Sequence, residues 1–319
     1  MDPAAPAPPA LLLIGPTASG KTALACALAD RFPVDILSID SAMVYRGMDI
    51  GTAKPDAAMQ ARYPHQLIDL VTPEESYSAA RFCADAQAAA AAAWARGRVP
   101  LLTGGTMLYV HALLEGLAKL PEADLEVRAL IETEAAQRGW PALHAELAVH
   151  DPQTAGRLAP QDAQRISRAL EVLRSTGVPL SAWHAKSAVH APAFARLLRI
   201  GLMPADRAAL HARIAERFSA MLEQGLVAEL EQLRARYTLH AGMPSMRCVG
   251  YRQVWEFLDG GVTRVQMQSK AVAATRQLAK RQMTWMRSMP GLDMLDPLAA
   301  DPAGKLMARV AGFLDCGIR

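Results

Sequence analysis

The sequence predicts an α/β fold in which helices flank a parallel sheet, with an all-helical insertion domain and a helical C-terminal region. Three observations predict it. Up to about residue 115, short apolar runs alternate with helical patterns, as in parallel strands joined by right-handed helical crossovers. Residues 121–191 then show helical patterns only, and the apolar run 196–203 resumes the strand pattern. The 319 residues are 51% hydrophobic and 20% charged, which supplies a sizeable core and excludes a disordered chain.

The individual elements follow from local patterns along the chain. Buried strands are expected in the apolar runs at residues 11–14, 34–39, 66–71, 99–102 and 196–203. Helices are expected over residues 23–30, the alanine-rich 77–96, and 107–115. From residue 206 onward the pattern is mostly helical, with a looser stretch at 238–250. The predicted domains are a core of residues 11–119 and 196–319 and a helical insertion of residues 120–195.

The first ten residues and the cysteines bear on the cellular compartment. MDPAAPAPPA contains four prolines and no basic segment, so residues 1–10 are predicted to be a disordered leader and not a signal peptide. No apolar run approaches the roughly 18 residues that a membrane span needs. The four cysteines lie far apart, without metal-ligand spacing, which favours free thiols in a reducing compartment. We therefore expect a cytoplasmic protein without a membrane partner. The net charge of +3 neither demands nor excludes nucleic acid.

Residues 15–22, GPTASGKT, match the pattern G-x-x-x-x-G-K-[ST] between a predicted strand and a predicted helix. In such a P-loop, backbone N–H groups wrap around phosphate oxygens, and the helix N-terminus favours the anion. Lys21 adds a positive charge, and the Thr22 hydroxyl is a ligand for Mg²⁺. The motif predicts a diphosphate or triphosphate site, as in nucleotide- and ATP-binding proteins, in a P-loop NTPase-like core. An ATP hydrolase would also need a carboxylate at a neighbouring strand end, but Thr-Gly-Gly-Thr follows the strand at 99–102.

Two further polar side chains follow predicted strands, where open parallel sheets bind their ligands. Asp40 lies at the end of the run Ser38-Ile39-Asp40-Ser41. Its carboxylate suits a general base or a Mg²⁺ contact, but an aspartate that caps a turn fits the same pattern. Thr106 follows two glycines and suits either a substrate contact or the N-cap of the next helix. The residues alone leave these alternatives open.

Several blocks of sequence together carry a resemblance to a known family. They are GPTASGKT (15–22), SIDSAMVYRGMDIGTAKP (38–55), HQLID (65–69), YSAARF (77–82), LLTGGTMLY (101–109), DLEVR (124–128), DAQRISR (162–168), RCVGYRQ (247–253) and KRQMTWMR (280–287). The chain resembles the bacterial tRNA dimethylallyltransferases, also called tRNA isopentenyltransferases, from residue 11 to about residue 287. The family often has proline where this chain has Leu125.

The resemblance implies a prenyltransferase that modifies tRNA. Such an enzyme moves the dimethylallyl group from dimethylallyl diphosphate to N6 of adenosine 37, beside the anticodon, in tRNAs that read codons beginning with U. The products are N6-(dimethylallyl)adenosine and diphosphate. The resemblance also implies that the P-loop binds a prenyl diphosphate and not ATP.

The resemblance further assigns residues to the reaction. It implies that Asp40 takes the proton from N6 and that Thr106 touches the acceptor base and the reacting end of the donor. Magnesium is the implied cofactor, with Thr22 as its protein ligand. By spacing alone, Arg217 fits a solvated helix position better than a ligand contact. The implied diphosphate-binding residues are nonetheless Gly15, Pro16, Thr17, Ala18, Ser19, Gly20, Lys21, Thr22 and Arg217.

The implied partners are dimethylallyl diphosphate and the anticodon stem-loop of tRNA, bound by a monomer. The segment 245–290 carries eight Lys or Arg against two acids, with Tyr251, Trp255 and Trp285 among them. That composition suits phosphate contacts and base stacking, but also a solvated helix face. With the resemblance, the insertion also contacts tRNA. The implied tRNA contacts are Asp40, Ser41, Ala42, Met43, Thr106, Arg128, Gln164, Arg165, Ile166, Ser167, Arg168, Arg247, Cys248, Val249, Gly250, Tyr251, Arg252, Lys280, Arg281, Gln282, Met283, Thr284, Trp285, Met286 and Arg287.

Three rival functions fit part of the same pattern. A P-loop kinase of small molecules shares the P-loop and the sheet, but it has no need of the basic C-terminal segment. An adenylate isopentenyltransferase, which prenylates free nucleotide, should be shorter and lack the tRNA-binding blocks. An RNA-binding protein with a vestigial P-loop would bind tRNA without transferring a prenyl group.

Overall fold

A computed structural model describes residues 7–118, 120–186 and 194–315. It confirms the predicted α/β fold, with a six-stranded parallel sheet flanked by helices. The strands are β1 Pro9–Ile14, β2 Val34–Ile39, β3 His65–Gln66, β4 Val99–Gly104, β5 Arg196–Leu202 and β6 Asp293–Leu295. The helices are α1 Lys21–Arg31, α2 Ala57–Arg62, α3 Ala79–Ala95, α4 Met107–Glu115, α5 Leu125–Arg138, α6 Trp140–His150, α7 Pro152–Ala155, α8 Ala163–Thr176, α9 Leu180–Lys186, α10 Arg207–Glu223, α11 Leu226–Arg236, α12 Tyr251–Leu258, α13 Arg264–Ser288 and α14 Pro302–Asp315.

The chain divides into two compact units. One unit comprises Met1–Leu114 and Pro192–Arg319 and contains the whole sheet. The other comprises Glu115–Ala191, and its described residues form the helices α5 to α9 without a strand. This helical unit has an apolar core of its own, built from Ile131, Leu143, Leu147, Ile166, Leu170 and their neighbours.

The strand order β3-β2-β4-β1-β5-β6 places β1 inside the sheet, between β4 and β5. Side chains of a strand alternate between the two faces of the sheet. Leu12 and Ile14 accordingly pack into one buried cluster, whereas Leu11 and Leu13 pack into a second cluster with residues of α1 and α14. The continuous apolar run at residues 11–14 is therefore explained by burial on both faces.

The third predicted strand is largely wrong. The sequence predicts a strand over residues 66–71, but β3 covers only His65–Gln66, because Leu67 and Asp69 have φ angles of 65° and 54°. The rest of the segment is a loop held by the Lys54 ammonium, which donates to Asp69 Oδ1 and to the Tyr45 carbonyl oxygen. This loop packs beside the chain that follows β2, where Asp69 N–H donates to the Met43 carbonyl oxygen.

Other differences from the expected elements are small. β1 begins at Pro9, two residues earlier than predicted, and the Trp94 indole N–H donates to the Pro9 carbonyl oxygen. α3 begins after Ser78, whose hydroxyl accepts from the Arg81 N–H as an N-cap. The short strand β6 interrupts a region expected to be mostly helical and pairs with β5.

The cysteines and the helix lengths bear on the compartment expected from the sequence. Cys26, Cys83 and Cys248 are free thiols, and Cys316 lies outside the described residues. Within the described ranges, none of the helices combines the length and the apolar character that a membrane crossing requires.

Candidate active site

Three loops meet at the carboxyl edge of the sheet because their strands are neighbours in register. Gly104 pairs with Ile14 across β4 and β1, and with Ile39 across β4 and β2. The P-loop after β1, the turn with Asp40 after β2 and the turn with Thr106 after β4 therefore start side by side. A Cβ on Gly104 would lie 2.1 Å from the Ile39 carbonyl oxygen, so this close approach requires glycine. Parallel sheets bind ligands at this edge.

The P-loop forms a compact turn that leads into α1. Gly20 precedes α1 with a φ of 86°, and Ala18 has a φ of 62°, which is uncommon for a residue with a side chain. Lys21 Nζ donates to the carbonyl oxygens of Gly15 at 3.0 Å and Pro16 at 2.7 Å, so the ammonium lies against the loop. The Ser19 hydroxyl is buried without a partner among the described residues. With no side-chain cap on α1, its first N–H groups are available to an anion.

Lys21, Arg217 and Asp40 form one electrostatic group. Burial, and then the Arg217 charge, lowers the pKa of Lys21 to about 7, while Asp40 acts in the opposite direction. Burial also lowers the pKa of Arg217, again opposed by Asp40. Within the described chain, the Arg217 guanidinium makes one long hydrogen bond of 3.5 Å, to the Thr52 carbonyl oxygen. Two desolvated cations beside a P-loop favour the binding of a polyanion, because its negative charge compensates for the hydration that the cations have lost.

Asp40 caps a turn with one carboxylate oxygen and keeps the other available. Its Oδ1 accepts from the N–H groups of Ala42 at 2.8 Å and Met43 at 3.4 Å, which confirms the turn-capping alternative. Its Oδ2 accepts no hydrogen bond from the part of the chain that the structure describes. Thr106 Oγ1 accepts from the Ser41 N–H at 3.0 Å and lies 3.3 Å from Ser41 Oγ. The Thr106 hydroxyl thus supports the turn that carries Asp40. Thr106 also directly precedes α4, and its carbonyl oxygen accepts from the Val110 N–H at 3.2 Å.

Thr22 is the P-loop residue that suits Mg²⁺. It lies in the first turn of α1, directly after Lys21, and presents a hydroxyl oxygen. The described residues contain no group of three or more His, Cys, Asp or Glu that could hold a metal ion. Mg²⁺ commonly takes one or two protein oxygens and completes its octahedron with substrate phosphates and water. The side chains present therefore fit a magnesium ion that is bound together with a diphosphate.

Glu229 supports the segment that follows Asp40, and the sequence analysis missed it. Its Oε2 accepts from the N–H groups of Asp49 at 3.0 Å and Ile50 at 2.7 Å, and its Oε1 accepts from the Gly51 N–H at 3.2 Å. Oε1 also accepts from the Tyr251 hydroxyl, and burial together with Glu229 raises the pKa of that phenol. One carboxylate on α11 therefore joins residues 49–51 to the RCVGYRQ block. A glutamate on an amphipathic helix carries no sequence signal for such a role.

The block at 280–287 divides between the two faces of α13. Trp285 is 43% exposed and packs edge-on against His111. Gln282, Met283 and Met286 are buried, and the expected contact of these residues with tRNA stays a prediction. The buried positions follow the helical period, and Met283 packs against Leu210 and Ile214 of α10. The exposed face carries the remaining residues, Lys280, Arg281, Thr284, Trp285 and Arg287.

The blocks at 247–252 and 40–43 also divide by exposure. Tyr251 is fully buried and its hydroxyl donates to Glu229, so its side chain has a structural contact here, and its contact with tRNA stays a prediction. Gly250 is buried beside it with a φ of 97°, a conformation that favours glycine. The partly buried members are Ala42, Met43, Cys248 and Val249, and the exposed members are Ser41, Arg247 and Arg252.

In the helical unit, the expected tRNA contacts surround a buried carboxylate. Glu171 is 1% exposed and accepts from Arg128 Nη2 at 2.7 Å, Arg168 Nη1 at 2.6 Å and the Asp124 N–H at 3.0 Å. Arg128 and Arg168 therefore have a structural role in α5 and α8, whatever else they bind. Ile166 and Ser167 are buried, and their expected contact with tRNA stays a prediction. The exposed members of this block are Gln164 and Arg165.

Comparisons with known proteins agree with the resemblance in the sequence. A model of the family described as IPP transferase matches residues 43–289. The tRNA dimethylallyltransferase of Thiobacillus denitrificans is 60% identical over 307 residues, which cover 96% of this chain and 97% of the relative. The tRNA dimethylallyltransferase of Dechloromonas aromatica is 57% identical over 310 residues, which cover 96% and 98%.

Solved structures show the same fold. The full-length tRNA isopentenylpyrophosphate transferase from Bacillus halodurans has a TM-score of 0.69 and 34% sequence identity, with 97% of each chain covered. A eukaryotic dimethylallyltransferase acting on tRNA has a TM-score of 0.77 at 23% identity, and the match covers 94% of this chain and 77% of that one. The second similarity extends the shared fold to a more distant relative.

Proposed function

The chain belongs to the IPP transferase family, and we propose that it transfers the dimethylallyl group of dimethylallyl diphosphate to N6 of adenosine 37, beside the anticodon of tRNA. The products are N6-(dimethylallyl)adenosine and diphosphate, and the acceptors are tRNAs that read codons beginning with U. The observation that carries the proposal is the strand register, which brings the P-loop and the turn with Asp40 to the same edge of the sheet, on either side of the 104–106 turn. The tRNA dimethylallyltransferases that are about 60% identical along nearly the whole chain support tRNA as the acceptor.

The donor binds through its diphosphate in the P-loop, where backbone N–H groups, Lys21 and Arg217 offset the negative charge. Breaking the bond between the dimethylallyl carbon and oxygen leaves more charge on the departing diphosphate, so cations already in place stabilise the transition state. When bound by Thr22 and the diphosphate oxygens, magnesium supplies further neutralisation of that charge. The turn 104–106 after β4 carries no carboxylate, which favours a leaving diphosphate over hydrolysis of ATP.

The acceptor nitrogen is a weak nucleophile because its lone pair is delocalised into the purine ring. As the new carbon–nitrogen bond forms, N6 loses a proton, and the Asp40 carboxylate takes it. Oδ2 is the oxygen available for that proton, since Oδ1 accepts both hydrogen bonds of the turn. Thr106 keeps this turn in place through Ser41, and we propose that it also touches the acceptor base.

We propose the exposed basic and aromatic side chains as the tRNA-binding surface. On α13 these are Lys280, Arg281, Trp285 and Arg287, whose charges suit phosphates and whose indole suits stacking on a base. The target adenine has to leave its stack to react, which costs least in a loop, so the anticodon stem-loop is the proposed element. The monomeric state and the cytoplasmic location stay predictions of the sequence.

The proposal is tested by incubating the protein with Mg²⁺, dimethylallyl diphosphate and unmodified tRNA that reads codons beginning with U. Mass spectrometry of the nucleosides is expected to show N6-(dimethylallyl)adenosine with the wild-type chain. Asp40→Ala is expected to form almost none while keeping near-normal affinity for tRNA, and Lys21→Ala is expected to lose donor binding only. Product from ATP and a small metabolite, with none from the tRNA mixture, would favour a kinase and contradict the proposal.

A further inference from the structure

Gln282 is buried on the inner face of α13, although its side-chain amide has both a hydrogen-bond acceptor and a donor. Only 7% of the residue is exposed. Its Oε1 accepts from the Thr17 N–H at 3.0 Å, and its Nε2 donates to the Gly105 carbonyl oxygen at 2.8 Å. Thr17 belongs to the P-loop, whereas Gly105 belongs to the turn after β4. A single side chain from a third element therefore bridges two of the loops that form the candidate active site.

The amide can make this bridge in one orientation only. An N–H donor faces one end and a carbonyl acceptor faces the other, so rotating the amide by 180° would pair donor with donor and acceptor with acceptor. Glycine at position 105 leaves room for the bridge, because a Cβ there would lie 2.4 Å from Gln282 Nε2 and displace the amide. Gly105 does not have a positive φ, so space for Gln282, and not backbone conformation, explains the absence of a side chain there.

The bridge continues to the turn that carries Asp40. The N–H groups of Gly105 and Thr106 both donate to the Ile39 carbonyl oxygen at 3.2 Å. The Thr106 hydroxyl accepts from the Ser41 N–H at 3.0 Å. Starting at the P-loop, hydrogen bonds thus run through Gln282 and the 105–106 turn to the residues on either side of Asp40.

We propose that Gln282 is a positioning residue that sets the P-loop at a fixed distance from the turn that carries Asp40. This inference rests on the proposed prenyl transfer, in which the P-loop holds the donor and Asp40 receives the proton of the acceptor. Transfer requires the donor carbon and the acceptor nitrogen in near-attack geometry, and small displacements of one loop against the other lower the rate. Without the amide, the Thr17 N–H and the Gly105 carbonyl both lose their partner in a poorly hydrated place.

The first test replaces Gln282 with a residue of similar size that lacks the amide. Gln282→Met is compared with Gln277→Met, a matched control at an exposed position of the same helix. We expect the single-turnover rate of transfer to fall about tenfold or more in Gln282→Met, and the affinity for a thiolo analogue of dimethylallyl diphosphate to fall as well. The affinity for tRNA is expected to stay within about twofold of wild type, because the side chain does not reach the surface.

The second test uses a pH profile that a purely structural role would not produce. In Gln282→Glu, one oxygen still accepts from the Thr17 N–H, but the other can donate to the Gly105 carbonyl only when the carboxyl is protonated. We therefore expect the rate of this variant, relative to wild type, to rise as the pH falls from about 8 to about 6. A ratio that is independent of pH would contradict the bridge.

A double-mutant cycle keeps the inference testable if Gln282→Met folds poorly. The methyl group introduced by Gly105→Ala collides with the Gln282 side chain of the wild-type chain. In the Gln282→Ala background, the shorter side chain leaves space for that methyl group. We expect the loss of rate caused by Gly105→Ala to be several-fold smaller in the Gln282→Ala background, and additive effects would overturn the coupling.

The outcomes separate this inference from the proposed function. If the wild-type chain forms no prenylated nucleoside, the proposed function fails, while the affinity for the donor analogue still tests the bridge. If Gln282→Met matches Gln277→Met in rate and in donor affinity, the bridge has no role. If Gln282→Met weakens tRNA binding and leaves donor affinity unchanged, Gln282 is a tRNA contact and the inference is wrong.

Discussion

Replacing Glu229 with glutamine tests whether one carboxylate holds the segment that follows Asp40. In the native chain its two oxygens accept four hydrogen bonds, from the N–H groups of residues 49–51 and from the Tyr251 hydroxyl. An amide nitrogen at either position would face two donors and could accept from neither. An amide nitrogen at the Oε2 position loses the bonds from Asp49 and Ile50, whereas at the Oε1 position it loses the bond from Gly51 and can donate to the Tyr251 hydroxyl. Glu229→Gln therefore loses one or two of the four hydrogen bonds.

The size of the effect follows from the lost hydrogen bonds to the backbone N–H groups of residues 49–51. Hydrogen bonds to a charged group contribute ~1.5–3 kcal/mol each, and partial exposure of this site to water reduces that range. We expect local opening of residues 49–51 to become easier by ~2 kcal/mol, which corresponds to about 30-fold faster amide exchange. The product-forming rate should fall too, because the segment continues from the turn that carries Asp40.

Amide hydrogen exchange measures this change directly. Exchange of the Asp49, Ile50 and Gly51 amides is compared in wild type, Glu229→Gln and Glu231→Gln, an exposed control on the same helix. The control should exchange as wild type does. Unchanged protection of the three amides in Glu229→Gln would refute the proposed support.

Three further predictions concern charge and metal. Burial and the Arg217 charge lower the pKa of Lys21 to about 7, and a bound diphosphate would raise that pKa, so donor binding above pH 7 should take up a proton. Calorimetry in buffers of different ionisation enthalpy should show proton uptake that is small below pH 7 and approaches one proton above it. The absence of proton uptake at any pH would contradict this prediction. Thr22→Val should raise the Mg²⁺ concentration needed for half-maximal transfer by about tenfold without changing tRNA affinity; an unchanged Mg²⁺ dependence would exclude Thr22 as the ligand. Glu171→Gln should lower the free energy of unfolding, measured by urea denaturation, by ~2 kcal/mol. This is less than the cost of breaking a fully buried ion pair, because Arg128 and Arg168 are partly exposed. Wild-type stability of the variant would contradict the role of Glu171.

The P-loop is predictable from the sequence because its contacts are local. Residues 15–22 are contiguous, and Lys21 binds Gly15 and Pro16, six and five residues before it. Gln282 shows the opposite case, since it binds Thr17 and Gly105 across 265 and 177 residues of chain. No local pattern records such a contact, and in the sequence Gln282 is one polar residue in a basic block.

Short strands are the part of the fold that sequence patterns predict least well. Residues 66–71 have the composition of a strand, but the Lys54 ammonium and the chain after β2 hold them as a loop. β6 has only three residues at the edge of the sheet, too few to show an alternating pattern. In both places tertiary contacts, and not local preference, determine the backbone.

The position of the bound donor shows whether the P-loop holds the diphosphate while Asp40 faces the acceptor. The measurement is a crystal structure of the protein with Mg²⁺, an unreactive thiolo analogue of dimethylallyl diphosphate and an anticodon stem-loop. We predict diphosphate oxygens within hydrogen-bond distance of Lys21 Nζ and of the P-loop N–H groups, with Asp40 Oδ2 facing N6 of an extruded adenine. A diphosphate bound away from the P-loop, or an Asp40 carboxylate turned away from the nucleobase, would contradict the proposed transfer.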